Sequence, residues 1–131
     1  MSKGKIFVID DDANALRLAQ RALEKAGYEV ATTSHVIGTT TAINEFAPDV
    51  ILLDVMMPAL TGDKFLRLLR QGVKSKPNII LLSNKSDDEL REIAGKILAD
   101  DYLSKIQGPA AILRKVGEHI QKRKPASPPS T

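Results

Sequence analysis

The sequence predicts an α/β protein in which five strands and five helices alternate around a doubly wound, five-stranded parallel sheet. Short apolar runs of five or six residues recur along the chain, and a continuous apolar run is typical of a strand that is covered on both faces. Between these runs lie segments in which apolar residues recur every three or four positions, which is the period of an amphipathic helix. Strict alternation of the two patterns indicates a parallel sheet with helices on both faces.

The five predicted strands are apolar or rich in β-branched residues. They comprise residues 5–9, 28–33, 49–54, 78–83 and 101–105. The second of them alternates apolar and polar residues, which predicts a more exposed strand. The first, third and fourth are nearly continuous apolar runs, typical of buried strands, and the fifth is short.

The five predicted helices each have one apolar face. They comprise residues 12–27, 34–48, 63–72, 86–99 and 108–122. We expect Asp12 to cap the first helix and Gly27 to end it. The second contains Gly38 and three threonines and has the weakest helical propensity. Ser86, followed by acidic residues, begins the fourth, and Pro109 stands near the first turn of the fifth.

Length and composition predict one domain, residues 1–122, followed by a Pro/Ser-rich tail or linker, residues 123–131. The chain has no cysteine, which excludes disulfides and thiolate sites. No signal peptide and no apolar stretch of membrane-spanning length is recognisable. We therefore expect a cytoplasmic protein that does not bind membranes.

The distribution of charge argues against a nucleic-acid-binding domain, and the placement of the histidines argues against a histidine-based catalytic site. The net charge is +3, but the basic residues are scattered and only 4% of residues are aromatic. We therefore do not expect this domain to bind nucleic acid directly. His35 and His119 stand on separate predicted helices without a partner acid or serine at a motif spacing, and both are predicted to be surface residues.

Polar side chains occupy the carboxyl ends of four predicted strands. They are Asp10 and Asp11 after the first strand, Asp54 on the third, Ser83 on the fourth and Lys105 on the fifth. In open α/β sheets, ligands bind outside these ends of the strands. Because parallel strands bring their carboxyl ends to one edge, we expect three carboxylates, a hydroxyl and an ammonium group to converge there.

Such a cluster has a definite chemistry. Three neighbouring carboxylates need a counter-charge to stay ionised, which Lys105 and a divalent cation would supply. Oxygen ligands favour Mg²⁺, for which Mn²⁺ could substitute. Asp54, on the central strand, could then act as a nucleophile and form an acyl phosphate, with Lys105 and Ser83 holding the phosphoryl oxygens.

Four segments carry a resemblance to a known family. They are "VIDDD", "PDVILLDVMMPALTG", "IILLS" and "ADDYLSK", at the first, third, fourth and fifth strands. With them the chain resembles the receiver domain of two-component response regulators, from about residue 5 to residue 122. The third-strand segment is the most specific because it combines a strand, an acid and a Pro/Gly loop at fixed spacing. The resemblance implies the flavodoxin-like strand order 2-1-3-4-5.

The resemblance also implies roles for the acidic residues. Asp54 would be the phosphorylated residue. Asp11 would bind Mg²⁺ directly together with Asp54, Asp10 would act through a water molecule, and the backbone carbonyl of Met56 would complete the protein's share of the ligands. Asp12 is left as the helix cap.

Signalling roles follow from the same resemblance. Ser83 would be the switch hydroxyl, Tyr102 the aromatic that turns inward, and Lys105 the lysine that pairs with phosphate and assists catalysis at Asp54. A sensor histidine kinase or phosphotransfer protein would dock against the first helix and the loop before the fifth. An output protein or domain, or a second copy of the chain, would read the face formed by residues 86–122. The domain would be a signalling module that only accepts and hydrolyses its own phosphoryl group, not an enzyme.

Three departures from the family pattern keep alternatives open. Ile106 follows Lys105 where the family usually has proline in a cis bond, so that bond is trans or strained. Leu98 and Ala99 replace a Gly-Ala pair, and Asn84 stands where a small residue is common. Ile106 and Asn84 are the only support for the second hypothesis, a pseudo-receiver that acts as a phosphorylation-independent interaction module, and the full set of acidic residues argues against it. A phosphoaspartate hydrolase is the third hypothesis, which the lack of a lid insertion and of a second acid two residues after the phosphorylated aspartate disfavours.

Overall fold

A computed structural model describes most of the chain. The described residues are 3–35, 38–54, 71–84, 86, 88, 91 and 99–123. The predicted loop 55–62, most of the predicted helices 63–72 and 86–99, and all but the first residue of the predicted tail lie outside the described residues.

Five strands form one parallel sheet in the order β2-β1-β3-β4-β5. They are β1 (Lys5–Ile9), β2 (Glu29–Thr33), β3 (Val50–Asp54), β4 (Asn78–Ser83) and β5 (Asp101–Ser104). The predicted fold class and strand order are confirmed. One boundary is corrected: Lys105 does not belong to β5 but begins a short 3-10 helix, Lys105–Gln107.

Three helices are described over their full length. They are α1 (Ala13–Lys25), α2 (Thr39–Phe46) and α3 (Pro109–Arg123). Asp12 caps α1 as predicted, because its carboxylate accepts the N–H groups of Asn14 and Ala15 at 2.9 and 3.4 Å. The second helix begins later than predicted, since Gly38 lies before it in the left-handed region at φ 76°.

The core lies on both faces of the sheet, which explains why the strands are continuously apolar. Side chains alternate along β1, so Phe7 and Ile9 join the cluster beneath α2. Ile6 and Val8 point to the other face and pack with residues of α1 and α3. No helix in the described part of the chain is both long and apolar enough for a membrane span.

The parallel sheet has two chemically distinct edges. The carboxyl ends of β1, β3, β4 and β5 lie along one edge, where the predicted polar residues stand. The amino ends, including the first residues of β4 and β5, lie along the opposite edge.

Candidate functional site

Three aspartates meet at the carboxyl edge of the sheet. Each of Asp10, Asp11 and Asp54 offers a carboxylate oxygen, and these oxygens all lie within 4.8 Å of one another. The strands explain the convergence, because β1 and β3 are hydrogen-bonded neighbours with Ile9 opposite Leu53. Asp10 and Asp54 are buried, at 3% and 5% exposure, whereas Asp11 is exposed. Only Asp11 therefore faces solvent fully.

Both carboxylate oxygens of Asp10 have partners in the protein. Oδ1 accepts the backbone N–H of Asp12 at 3.0 Å, and Oδ2 forms a close ion pair with the ammonium group of Lys105. The backbone N–H of Asp10 donates to the carbonyl of Thr33 at 3.2 Å, which ties the residue to the end of β2. Asp10 is thus held rigidly at the base of the acidic cluster.

Lys105 reaches two of the three aspartates. Its Nζ lies 3.6 Å from Asp54 Oδ2 in addition to its contact with Asp10. The backbone that positions it is local: Ser104 Oγ accepts the N–H of Ile106 at 3.3 Å and so caps the 3-10 helix. The described residues contain no cis peptide bond, so the Lys105–Ile106 bond is trans. The replacement of proline by isoleucine therefore leaves the ammonium group within the cluster.

Ser83 ends β4 next to the acidic cluster, whereas Tyr102 is the second residue of β5 and lies further from it. Ser83 is fully buried and lies opposite Ser104, one position beyond the residue that pairs with Asp54. Tyr102 is half-buried against the core beneath α2, and its hydroxyl accepts a hydrogen bond from Arg91 Nε at 3.0 Å. The ring is therefore held by a bond that an inward movement would break.

Two further positions named from the sequence are Met56 and Asn84. Met56 lies outside the described residues. Asn84 is described and exposed, directly after Ser83.

The donor set fits a divalent cation. Among the described residues, three carboxylates and one ammonium group meet there, an excess of negative charge. Hard oxygen ligands of this kind are those that Mg²⁺ binds, commonly through one or two carboxylates with waters completing the shell. The residues present can therefore hold a metal ion at the exposed side, where Asp11 lies.

The prediction that His119 is a surface residue is wrong. The residue is 4% exposed, its Nε2 lies 2.8 Å from Asp101 Oδ2, and its Nδ1 lies 2.8 Å from the side-chain nitrogen of Asn78. Since the carboxylate can only accept, Nε2 donates to Asp101, and Nδ1 accepts from the Asn78 amide. His35, in contrast, is exposed as predicted.

Asp101 is the charged centre of this second polar cluster. Burial raises the pKa of its carboxyl. Hydrogen bonds from His119 and from the backbone N–H of Tyr102, together with the ammonium group of Lys115 at 3.3 Å, lower the pKa and outweigh the effect of burial, so that it lies below its usual 3.8. The cluster joins Asn78 of β4, Asp101 of β5 and both Lys115 and His119 of α3, and no short sequence motif contains them. Only the polar first residues of β4 and β5, Asn78 and Asp101, hinted at it.

The fold and the acidic edge together define a doubly wound α/β domain with a cluster of aspartates that could hold a metal ion at the strand ends. The model of the response regulator receiver domain matches residues 6–117. The chain therefore belongs to the receiver domains of two-component response regulators.

Individual relatives agree with this assignment. The chain is 35% identical over 127 residues to the alkaline phosphatase synthesis transcriptional regulatory protein PhoP of Bacillus subtilis, covering 96% of this chain and 52% of the relative. Among solved structures, the receiver domain of a response regulator from Bermanella marisrubri matches with a TM-score of 0.78 at 30% identity, covering 92% of this chain and 99% of that one. The BeF3-activated receiver domain of Klebsiella pneumoniae RstA matches with a TM-score of 0.78 at 28% identity and the same coverage. The chain spans about half the length of the curated relatives it matches.

Proposed function

We propose that this receiver domain accepts a phosphoryl group on Asp54 and thereby switches between two conformations. The observation that supports the proposal best is the cluster of carboxylate oxygens of Asp10, Asp11 and Asp54 within 4.8 Å, with the Lys105 ammonium group 3.6 Å from Asp54. A nucleophilic carboxylate, a cation site and a phosphate-pairing lysine at one point are what aspartyl phosphorylation requires.

The transfer would proceed by in-line displacement. A carboxylate oxygen of Asp54 forms a bond to phosphorus as the bond between phosphorus and the donor histidine nitrogen breaks, and the histidine leaves with the electron pair of that bond. Lys105 would pair with the phosphoryl oxygens, and Ser83 would donate a hydrogen bond to them. Hydrolysis by water would later return the carboxylate and release inorganic phosphate.

A metal ion fits this chemistry. Asp11 and Asp54 would bind Mg²⁺ directly, Asp10 would act through a water molecule, and the Met56 carbonyl is the remaining proposed ligand. Bound Mg²⁺, or Mn²⁺ in its place, would neutralise charge on the transferred phosphoryl group. Before transfer, Lys105 lies on Asp10, so its ammonium group must shift toward Asp54 to meet the phosphoryl oxygens.

The conformational switch would run through β5. As Ser83 and Lys105 turn to the phosphoryl group, Tyr102 would exchange its hydrogen bond with Arg91 for an inward position. This change would alter the face formed by residues 86–122, which an output protein, an output domain or a second copy of the chain would read. Such a switch is a shift between two populated states, driven by the new charge.

The phosphoryl donor would be a histidine kinase or a phosphotransfer protein that docks beside Asp54. Leu18 on α1 and Ile106 after β5 are the two large apolar side chains that are markedly exposed among the described residues, at 66% and 75%. Leu18 lines the same cavity as Asp10 and Lys105, and Ile106 directly follows Lys105, which supports docking against α1 and the loop before α3.

Intact-mass spectrometry after incubation with acetyl phosphate, with and without Mg²⁺, tests the proposal. We expect a single metal-dependent phosphoryl adduct that is absent in Asp54→Asn. Asp12→Asn is the matched control, because it makes the same change in the same acidic segment at a residue that caps α1, and asparagine caps helices equally well.

The remaining outcomes separate the alternatives. An adduct that persists in Asp54→Asn would refute the assignment of the phosphorylated residue. No adduct in a folded protein that also binds no Mg²⁺ would instead support the pseudo-receiver, a module that binds partners without phosphorylation.

A further inference from the structure

A cavity of about 160 Å³ lies between α1 and the start of α3 and adjoins the acidic site. Its apolar lining includes Val8 of β1, Leu82 of β4, the exposed Leu18 of α1 and Ile112 of α3. Asp10 and Lys105, its two charged lining residues, form its polar inner end. The cavity thus connects the surface between two helices with the side chain of the lysine at the phosphorylation site.

Small residues create this space. Ala15, Ala19 and Ala22 follow one another at spacings of four and three on one face of α1, and all three line the cavity. Larger side chains on the neighbouring face of α1, such as Leu23, pack in the core beneath α3 and set the distance between the helices. Gly108, at the mouth, has no atom within 4 Å of the position that a Cβ would take.

The chemistry of the walls selects the ligand. Apart from Asp10 and Lys105 the lining is apolar, and these two residues already neutralise each other in an ion pair. A charged ligand would therefore lose part of its hydration without gaining a free counter-charge. A cavity of about 150 Å³ with apolar walls accepts a single aromatic ring such as benzene.

We infer that this cavity, the α1/α3 cavity, is a binding site for a small neutral molecule built on one aromatic ring. The ring lies between the three alanines and Ile112, above Val8, and a single hydroxyl or similar group reaches the polar inner end. A ring in this position contacts the stem of Lys105. If Asp54 is phosphorylated as proposed, the ligand would restrain the lysine that must move toward the phosphoryl group.

Benzyl alcohol tests the inference by NMR titration of the whole unphosphorylated chain, so the result does not depend on phosphorylation. We expect saturable shifts of the methyl signals of Ala15, Ala19 and Ile112, and of the side-chain signals of Lys105. Benzoate and benzylamine, which have the same ring and carry a charge, should bind at least about tenfold more weakly because of the cost of burying an unpaired charge.

Filling the cavity provides the mutational test. Ala19→Leu places a larger side chain in the space and should weaken benzyl alcohol binding by about tenfold or more, while Ala42→Leu, on the exposed face of α2, should leave it unchanged. Equal binding to Ala19→Leu, equal binding of the charged analogues, or saturation without movement of the Lys105 signals would each overturn the inference. Shifts that do not saturate would do the same.

Discussion

The imidazole of His119 and the carboxylate of Asp101 form a pair 2.8 Å apart that fastens α3 to the first residue of β5. The second imidazole nitrogen accepts a hydrogen bond from the Asn78 amide, also at 2.8 Å, which links α3 to the first residue of β4 as well. One side chain therefore joins a helix to two strands at the amino edge of the sheet.

Replacing His119 by phenylalanine should lower the free energy of unfolding by roughly 1–3 kcal/mol, because the half-buried Asn78 amide loses its acceptor and Asp101 loses a donor. Urea unfolding of the two proteins measures this difference. The matched control is His35→Phe at an exposed position, which should stay within about 0.5 kcal/mol of the parent. Equal effects of the two substitutions would show that the pair contributes nothing specific.

The stabilisation that Asp101 provides should disappear in acid. The pKa of Asp101 in the folded protein lies below the usual value of 3.8, so folding favours the ionised carboxylate. Its contribution to the free energy of unfolding is therefore fully present above about pH 4 to 5 and is lost as the pH falls through the lowered pKa. Unfolding midpoints of the parent and of Asp101→Asn should therefore differ at pH 7 and converge as the pH falls below the usual pKa. A difference that is constant or grows toward low pH would contradict the sign of the shift.

The exposed apolar side chains of Leu18 and Ile106 should affect the rate of phosphoryl transfer from a protein donor but not from a small-molecule donor. Changing both to serine removes apolar contact area and is expected to slow transfer from a histidine kinase by roughly tenfold or more, while labelling by acetyl phosphate stays unchanged. Lys25→Ser, an exposed change in the last turn of α1, is the control. Equal losses with both donors would place the defect in the acidic site and not in docking.

The hydrogen bond between Arg91 and Tyr102 should restrain the switch. Arg91→Ala removes a bond worth about 1 kcal/mol, which would raise the population with Tyr102 turned inward by up to about fivefold without phosphorylation. Fluorine NMR of fluorotyrosine-labelled protein reports this population, with Tyr28 as an internal reference. An unchanged Tyr102 signal would show that the bond does not hold the outward position.

The central strands could be predicted because they are covered on both faces, whereas their order followed from the resemblance to receiver domains. Burial on two sides requires a nearly unbroken apolar run, as in Val50–Asp54, and such runs are visible in the sequence without knowledge of their partners. The convergence of Asp10, Asp11 and Asp54 follows equally from parallel geometry. The cap at Asp12 depends on local hydrogen bonds alone and could also be predicted.

Features that depend on contacts between residues far apart in the sequence, or on the conformation of single side chains, could not be predicted. His119, Asp101 and Asn78 are separated by many residues, and only the packing of α3 on the sheet brings them together. The end of β5 depends on Ser104 Oγ capping the following turn, which competes locally with continuation of the strand. That Lys105 lies closer to Asp10 than to Asp54 is a matter of side-chain conformation, on which sequence spacing is silent.

The hydrogen bonds of His119 with Asp101 and Asn78 lie at the opposite edge of the sheet from the acidic site. Asp101 begins β5 and Lys105 follows its last residue, so their backbones lie roughly 13 Å apart at about 3.3 Å per residue. Substitutions separated by more than about 7–10 Å without shared partners usually add independently. An engineer could therefore strengthen or loosen the amino edge, for instance to make a more durable biosensor, while leaving the acidic site at the carboxyl edge as it is.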